Sequence, residues 1–167
     1  MTAEEIYLAL KRPFDPKRIS WRVGSTKKDE NQKPVSGIAL AYIDARDVMQ
    51  RLDEVLGMNW QCRYSQADKK TICEIGIKVD GEWIWRANVA GDSDIEAEKG
   101  ATSDAFKRAA VLFGIGRYLY KLPNVWMPLK AHGKSVVLDG VPELPKWATP
   151  AGWDEIMTKR KEQSKAA

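Results

Sequence analysis

The sequence has very little of the chemistry that disulfide frameworks, zinc sites and histidine catalysis require. It contains only two cysteines, Cys62 and Cys73, and one histidine, His132. Without a CxxC motif or a Cys/His cluster, neither a disulfide framework nor a structural zinc site is expected. His132 lies in the glycine-flanked KAHGK, a setting typical of an exposed loop residue rather than of a ligand or a catalytic base.

Long apolar runs and nucleotide-binding loops are absent as well. No run approaches the roughly 18 apolar residues of a membrane span, and no basic segment leads into an apolar signal core. We therefore expect no membrane association and a protein that stays in the compartment where it is made. The motif GxxxxGK[ST] does not occur, which disfavours ATP-driven strand exchange. No cofactor is expected.

Basic residues are concentrated near the N-terminus. The net charge of +4 permits binding to nucleic acid or to an anionic membrane without demanding either. Between residues 11 and 33, however, there are eight Lys or Arg against three Asp or Glu, and Lys27 and Lys28 belong to this region. The basic N-terminal part is therefore where a polyanion is expected to bind.

The length of 167 residues predicts one domain with a sizeable core and a short tail. We place the domain at residues 1–148, and a short C-terminal helix with a charged tail at 149–167. Thr149 and Pro150 are a suitable start for a helix over 151–163.

The most informative stretch is IEAEKGATSDAFKRAAVLFGIGRYLY, residues 95–120, which has the longest helical pattern. At about 100° per residue, one side is mostly apolar and the other carries Lys107 and Arg108. The mostly apolar side contains Ala101, Ala105, Phe106, Ala109, Leu112 and Phe113, together with the polar residues Glu98 and Thr102. Small residues near the two cations leave room for a phosphate backbone. The alternative is a solvated Lys-Arg pair on a helix that packs on a sheet.

Two further helices have clear start signals. A helix at 2–11 begins with Thr2 and Glu5 as a capping box. A helix at 45–56 begins after Asp44 as its N-cap. Its predicted core stripe is Val48, Met49, Leu52, Val55 and Leu56.

Strands are predicted on either side of the second helix. The first pair, 19–26 and 36–43, is joined by a polar loop that contains Lys27 and Lys28 and is too charged to be buried. Alternation along the first strand turns Arg22 away from the apolar side. After Tyr120 the chain is dense in Pro and Gly, which indicates an irregular covering segment with short strand-like pieces at 125–130 and 135–138.

Residues 59–91 predict a three-strand meander. With its first turn centred at Ala67–Asp68, Cys62 falls opposite Cys73, which favours a buried reduced pair over a redox site. Asp80-Gly81 is a strong hairpin signal. A strict two-residue turn there would turn the tryptophans outward and face Glu82, Ile84 and Arg86 inward. We therefore predict a three-residue loop or a bulge that places Trp83, Trp85, Ala87 and Val89 on the core face as packing or subunit contacts.

Four acids precede the long helix, namely Asp92, Asp94, Glu96 and Glu98. They are a conceivable divalent-metal site for a nuclease. Acids at the start of a helix ordinarily act as caps and partners of its dipole, and that is the preferred interpretation. No metal site is therefore predicted.

The order of these elements resembles the RAD-fifty-two superfamily of single-strand annealing proteins. Two stretches carry the resemblance, which extends over about residues 17–122: SWRVG followed by AYIDARDVMQRLDEVLGMNWQ, and IEAEKGATSDAFKRAAVLFGIGRYLY. The resemblance implies an α+β fold in which an antiparallel β-hairpin and a three-strand meander pack against a long helix. It also implies assembly into a ring or filament, with single-stranded DNA held in a basic groove. The long tail of eukaryotic members is absent, which favours a phage or bacterial protein acting in the cytoplasm.

The resemblance also implies site residues. By position, the DNA-contacting residues of the family match Arg22, Tyr42, Lys107 and Arg108, while Val111 stands where some members have a further basic residue. With three other basic side chains, the candidate DNA-binding residues are Arg22, Lys27, Lys28, Tyr42, Lys107, Arg108 and Arg117. No catalytic residue is assigned.

The favoured hypothesis is a non-enzymatic protein that binds single-stranded DNA and anneals complementary strands without ATP in recombination or double-strand break repair. It implies a homo-oligomer, with an exonuclease or a single-strand-binding protein as a candidate partner. The alternatives are a metal-dependent nuclease that uses the four acids, and a structural or protein-interaction domain whose Lys-Arg pairs only confer solubility.

Overall fold

The computed structural model describes residues 1–68, 70–90 and 97–166, without the side chains of residues 97–99, 165 and 166. The helices are α1 (Ala3–Lys11), α2 (Ala45–Leu56), α3 (Ala97–Leu112) and α4 (Pro150–Ala166). The strands are β1 (Ser20–Lys28), β2 (Pro34–Tyr42), β3 (Trp60–Ala67), β4 (Lys70–Val79), β5 (Glu82–Val89), β6 (Trp126–His132) and β7 (Ser135–Leu138). The predicted α+β class with antiparallel sheets is confirmed.

The chain divides into two compact units. The helical unit comprises residues 1–12 and 44–118, and the strand unit comprises residues 13–43 and the chain from Leu119 onward. The helical unit contains the meander β3-β4-β5 with α1, α2 and α3, and the strand unit contains a four-stranded sheet in the order β1-β2-β6-β7 with α4.

The core of the helical unit lies between α3 and β4. The periodicity of α3 places Ala105, Phe106 and Ala109 on one face, where all three are fully buried. The opposing strand β4 contributes alternate residues, and its Cys73 and Ile75 have no exposed surface. The predicted core side of the long helix is therefore confirmed for its central residues.

The long helix is shorter than its sequence pattern. It ends at Leu112, because Gly114 and Gly116 adopt positive φ angles of 95° and 67° that the α-helix cannot continue. The remainder of the stretch forms a short 3-10 helix at Arg117–Lys121.

Capping groups fix the starts of α1 and α2 as predicted. The backbone N–H of Glu5 donates to the Thr2 hydroxyl at 3.2 Å, and the Glu5 carboxylate accepts from the Thr2 N–H at 2.8 Å. The Asp44 carboxylate accepts from the Arg46 N–H at 2.8 Å. Arg46 also donates from its side chain, and this bond is the main reason that the pKa of Asp44 is lowered.

The buried stripe of α2 differs from the prediction at three positions, one of which is the half-buried Val55. Met49 is 36% exposed, whereas Arg51 is only 9% exposed. The Arg51 guanidinium donates to the backbone carbonyls of Ala9 at 3.2 Å and of Arg12 at 2.5 Å. These acceptors lie at the C-terminal end of α1, where carbonyls lack partners within the helix, so a charged side chain can be buried there.

The first turn of the meander lies one residue further along than predicted. Ala67 pairs with Lys70, so the prediction that Cys62 faces Cys73 is wrong. Cys62 lies opposite Ile75, and Tyr64 lies opposite Cys73. Both cysteines are free, but only Cys73 is buried because Cys62 lies on the edge strand β3.

The second turn has two residues, which contradicts the predicted longer loop. Asp80 and Gly81 have φ angles of 50° and 89°, as a two-residue hairpin turn with two positive φ angles requires. Val79 consequently pairs with Glu82, and Ile75 pairs with Arg86. The predicted inward orientation of Trp83, Trp85, Ala87 and Val89 is therefore wrong.

Polar side chains on the helix-facing side of β5 find acceptors on α3. Arg86 donates to the carbonyl of Leu112, and the amide of Asn88 donates to the carbonyl of Arg108 at 3.3 Å. The guanidinium of Arg86 also lies 4.9 Å from the centroid of the Phe113 ring. Because these hydrogen-bond partners are available, polar residues of β5 can lie on the face toward α3, where tryptophans were predicted.

In the strand unit, the strand-like pieces predicted at 125–130 and 135–138 are confirmed as β6 and β7, but they belong to the sheet rather than to an irregular cover. β6 pairs with β2 through Ser36↔Pro128, Gly37↔Met127 and Ile38↔Trp126. The hairpin strands are also longer than predicted, so Lys27 and Lys28 belong to β1 rather than to the loop. The Asp29 carboxylate closes the short turn by accepting from the N–H groups of Asn31 and Lys33, each at 2.9 Å.

The C-terminal helix begins as predicted. Thr149 accepts from the N–H of Gly152 at 3.2 Å through its hydroxyl and from the N–H of Trp153 at 2.9 Å through its carbonyl. α4 extends to Ala166, beyond the expected end at residue 163. Within the described part of the chain, no helix is long and apolar enough to cross a membrane.

Candidate nucleic-acid interface

One face of the four-stranded sheet brings together basic and aromatic side chains. Residues directly opposite each other in antiparallel strands point to the same face. Arg22 lies opposite Leu40, and Tyr42 is two residues further along β2 on the same face. Trp126 on β6 lies opposite Ile38, which also shares that face. The pairing therefore places Arg22, Tyr42 and Trp126 on one surface.

A β-bulge adds Lys27 to this surface. Arg22 and Lys27 are five residues apart, so a regular strand would point them to opposite faces. The register shifts between Val23 and Thr26, and Lys27 then pairs with Ser36 on the face of Arg22. Its ammonium nitrogen lies 4.4 Å from the centroid of the Trp126 ring. We call Arg22, Lys27, Tyr42 and Trp126 the basic-aromatic face.

Dense packing on the reverse side keeps this face outward. A Cβ atom at Gly37 would lie 2.8 Å from Val23 Cγ1 and 3.3 Å from Leu129 Cδ2, so the strands and their apolar side chains fit closely there. Ala39 on the same side is buried. On the basic-aromatic face, by contrast, Tyr42 and Trp126 are each 41% exposed.

Lys28 does not join this group. It is the last residue of β1, is exposed, and follows a second shift of register after Lys27. Of the two adjacent lysines, only Lys27 therefore belongs to the basic-aromatic face.

The cations of α3, Lys107 and Arg108, belong to the helical unit. Arg108 is exposed, and its Nε donates to the Asp104 carboxylate at 2.9 Å one turn earlier. Lys107 is half-buried and contributes a small lowering of the pKa of Asp44, whose larger cause is the Arg46 hydrogen bond. Both cations lie off the buried Ala-Phe side of the helix, as predicted.

Arg117 is placed at the C-terminal end of α3. Its Nε donates to the Val111 carbonyl at 2.8 Å, and its terminal nitrogen donates to the Leu112 carbonyl at 2.6 Å. These bonds satisfy carbonyls that have no partner within the helix. A structural role is therefore evident, and a contact between Arg117 and DNA stays a prediction.

The side chains of the four acids considered for a metal site lie outside the part of the chain that the structure describes. Asp92, Asp94 and Glu96 lie outside the described residues, as does the side chain of Glu98. In the ranges that the structure does describe, no three His, Cys, Asp or Glu side chains are close enough to hold a metal ion.

Sequence reasoning missed Trp126 as a candidate site residue. The strand-like pattern at 125–130 was visible, but alternation within it cannot show which strand it pairs with. The pairing of β2 with β6 joins residues about ninety positions apart. That non-local contact is what places Trp126 beside Lys27.

Comparisons with known proteins show which family this chain resembles. The family model described as "Rad52/22 family double-strand break repair protein" matches residues 2–137. A protein of Deinococcus deserti named single-stranded DNA-binding protein DdrA is 34% identical over 152 residues, which cover 90% of this chain and 73% of that protein. The protein of the same name from Deinococcus radiodurans is 32% identical over 152 residues, 90% of this chain and 70% of its own length. No solved structure gives a significant match.

Proposed function

The chain belongs to the Rad52/22 family of double-strand break repair proteins, and we propose that it binds single-stranded DNA and anneals complementary strands without ATP. The observation that carries the proposal is the basic-aromatic face, where Arg22 and Lys27 accompany the exposed rings of Tyr42 and Trp126. Two bacterial relatives named as single-stranded DNA-binding proteins support it.

The chemistry of this face suits a single strand better than a duplex. Cations neutralise phosphates whatever the base sequence, and exposed aromatic rings offer stacking surfaces to unpaired bases. The contacts proposed on this face are with phosphates and with the flat faces of unpaired bases, and neither contact reads base edges in a major groove. Binding is therefore expected to favour single strands and to tolerate any sequence.

We assign a second set of phosphate contacts to Lys107 and Arg108 on α3. Arg108 is paired with Asp104, but an exposed pair of this kind is weak, and a guanidinium has donors left for a phosphate. Lys28 and Arg117 are the weakest candidates, since Lys28 lies apart from the basic-aromatic face and Arg117 is engaged by α3.

Annealing needs a strand held along many protomers, so we propose a homo-oligomer, either a ring or a filament. The few cations of one protomer contact only a short length of DNA. When the same surface is repeated in an oligomer, it forms a continuous binding surface, and binding to several protomers at once raises the overall affinity. Among the described strands of the meander, β3 and β5 are the edge strands, and their outer backbone groups are suited to such contacts. Mass photometry at micromolar protein, with and without single-stranded DNA, would contradict this part of the proposal if only monomers were found.

The central experiment is annealing of complementary oligonucleotides with ATP, without ATP, and with EDTA. We expect the same acceleration in all three, with intact oligonucleotides at the end. Strand cleavage that EDTA abolishes would instead indicate a metal-dependent nuclease. A requirement for ATP would overturn ATP independence and leave single-strand binding in place.

Binding alone is tested with the variant Arg22→Ala and a matched control, Arg160→Ala, on α4. Single-strand affinity is expected to fall for Arg22→Ala and to stay unchanged for Arg160→Ala. Wild-type affinity for a blunt duplex that equals the affinity for a single strand at the same salt would contradict the proposal. In a bacterial cytoplasm, an exonuclease that exposes single strands or a single-strand-binding protein is the proposed partner.

A further inference from the structure

Trp126 is a large apolar side chain on an interior strand of its sheet, yet it is 41% exposed. β6 lies between β2 and β7 in the strand order; β2 pairs with its first residues, from Trp126, and β7 pairs with it from Leu129 onward. Its neighbour across the strand is Ile38, and Lys27 lies over its ring. The pairing with Ile38 fixes the backbone of Trp126 in the sheet, and one face of the indole becomes available once the lysine moves.

We propose that Trp126 stacks on a nucleobase of the bound strand, and that Lys27 is the movable cover of this stacking surface. In the free protein the ammonium lies over the indole at 4.4 Å. When a base arrives, it replaces the ammonium on the ring, and Lys27 turns to an adjacent phosphate. This inference rests on the proposed function and adds which ring takes the base and which side chain moves to admit it.

The exchange is favourable because the two interactions differ in strength. An exposed cation–π contact is weak, since the ammonium loses part of its hydration to make it. Stacking of a base on an aromatic ring is stronger and tolerates any base. The displaced ammonium also gains a new partner, since a phosphate next to the stacked base supplies an opposite charge. Lysine is suited to this movement because its four-carbon stem is flexible.

Arg22 is close enough for the same strand to reach it. It lies on β1, two strands from β6, and its partner Leu40 is two residues along β2 from Ile38. With about 4.8 Å between strands and about 3.4 Å per residue, the separation from Trp126 is about 12 Å. A strand stacked at Trp126 therefore passes Arg22 within a few nucleotides.

The test compares oligo(dT) with an oligonucleotide of the same length that has abasic sites throughout, so that phosphates are equal and only bases differ. Wild-type protein is expected to bind oligo(dT) about tenfold more tightly, as one stacked base would give. Trp126→Leu should bind both oligonucleotides with the affinity that the wild type has for the abasic one. The salt dependence of its binding should equal that of the wild type. Trp126→Phe should retain most of the preference, because a ring remains.

Two further variants separate stacking from charge. Lys27→Met keeps the stem but removes the ammonium, so the salt slope of log K should become shallower by about 0.7 while the preference for oligo(dT) remains. Trp147→Leu is the matched control, since Trp147 is 37% exposed in the same unit but lies in a 3-10 helix. It should behave as the wild type, and thermal unfolding would verify that each variant is folded.

Three results would overturn the inference, and they differ in what else they affect. Equal wild-type affinity for the two oligonucleotides would remove the stacking role and leave single-strand binding intact. A folded Trp126→Leu that keeps the preference for oligo(dT) would show that bases stack elsewhere. If the wild type binds neither oligonucleotide, the proposed function fails together with the inference.

Discussion

The indole ring of Trp85 covers Gly76 so closely that no side chain fits between them. A Cβ atom at residue 76 would lie 2.8 Å from two ring atoms and 2.9 Å from a third. The guanidinium of Arg63 lies over the ring, 4.2 Å from its centroid. The Nε of this guanidinium donates to the Glu74 carboxylate at 2.6 Å. Trp85 is thus a fixed part of the outer face of the meander.

Gly76→Ala is expected to destabilise the protein by about 1–3 kcal/mol, because the methyl group forces the indole away. The double variant Gly76→Ala/Trp85→Leu should recover part of the stability, since a smaller side chain leaves space. Chemical unfolding measures both. Gly100→Ala is the control: a Cβ there meets no atom within 4 Å, so in a helix this change should be neutral or slightly stabilising. An unaffected Gly76→Ala would show that the indole is free to move.

Replacing Lys107 and Arg108 together with Ala is expected to lower single-strand affinity while the fold and assembly persist. Ala is a good helix former, and the exposed pair of Arg108 with Asp104 contributes only about 0.3–0.5 kcal/mol. The salt slope of log K should become shallower by about 0.7 for each phosphate that the variant no longer neutralises.

The control for this pair is Lys159→Ala/Lys161→Ala on α4, which removes the same charge from exposed positions and should change binding little. A folded Lys107/Arg108 double variant with unchanged affinity and salt slope would show that these side chains do not contact DNA and that α3 has only a structural role. Titrations at several salt concentrations decide between the two outcomes.

Arg117→Met is expected to lower the free energy of unfolding by about 1.5 kcal/mol, because the carbonyls of Val111 and Leu112 lose its charged donors. The loss is limited because the Val111 carbonyl still accepts from the N–H of Gly114 and the Leu112 carbonyl from Arg86. Arg117→Lys should recover only part, since an ammonium lacks the fork of two parallel N–H groups. If the stability of Arg117→Met equals that of the wild type and DNA affinity falls, Arg117 acts on DNA rather than on the helix end.

Because the thiol of Cys73 is buried, the protein is expected to become less stable at alkaline pH. Burial raises its pKa from 9.0 to about 11, so folding favours the neutral thiol. This contribution is complete below about pH 9 and disappears as the pH rises toward 11. The free energy of unfolding of the wild type should therefore fall more steeply than that of Cys73→Ala between pH 9 and 11. Parallel curves for the two proteins would contradict the prediction.

Features that depend on neighbours along the chain could be predicted from the amino-acid sequence alone. The bounds of α2 and the capping box of Thr2 and Glu5 match the prediction, because each relies on side chains within four residues. The same holds for the buried side of α3, where a period of 3.6 residues identifies Ala105 and Phe106. Local hydrogen bonding and hydrophobic periodicity suffice for such elements.

The register of the strands, and with it the choice of which side chains meet, is set by the tertiary fold. A one-residue difference in the turn at Asp80–Gly81 exchanged the faces of Trp85 and Arg86, since successive residues of a strand point to opposite sides. The bulge after Val23 and the pairing of β2 with β6 brought Lys27 onto Trp126. These outcomes depend on contacts between residues distant in sequence, where no local pattern distinguishes one register from the next.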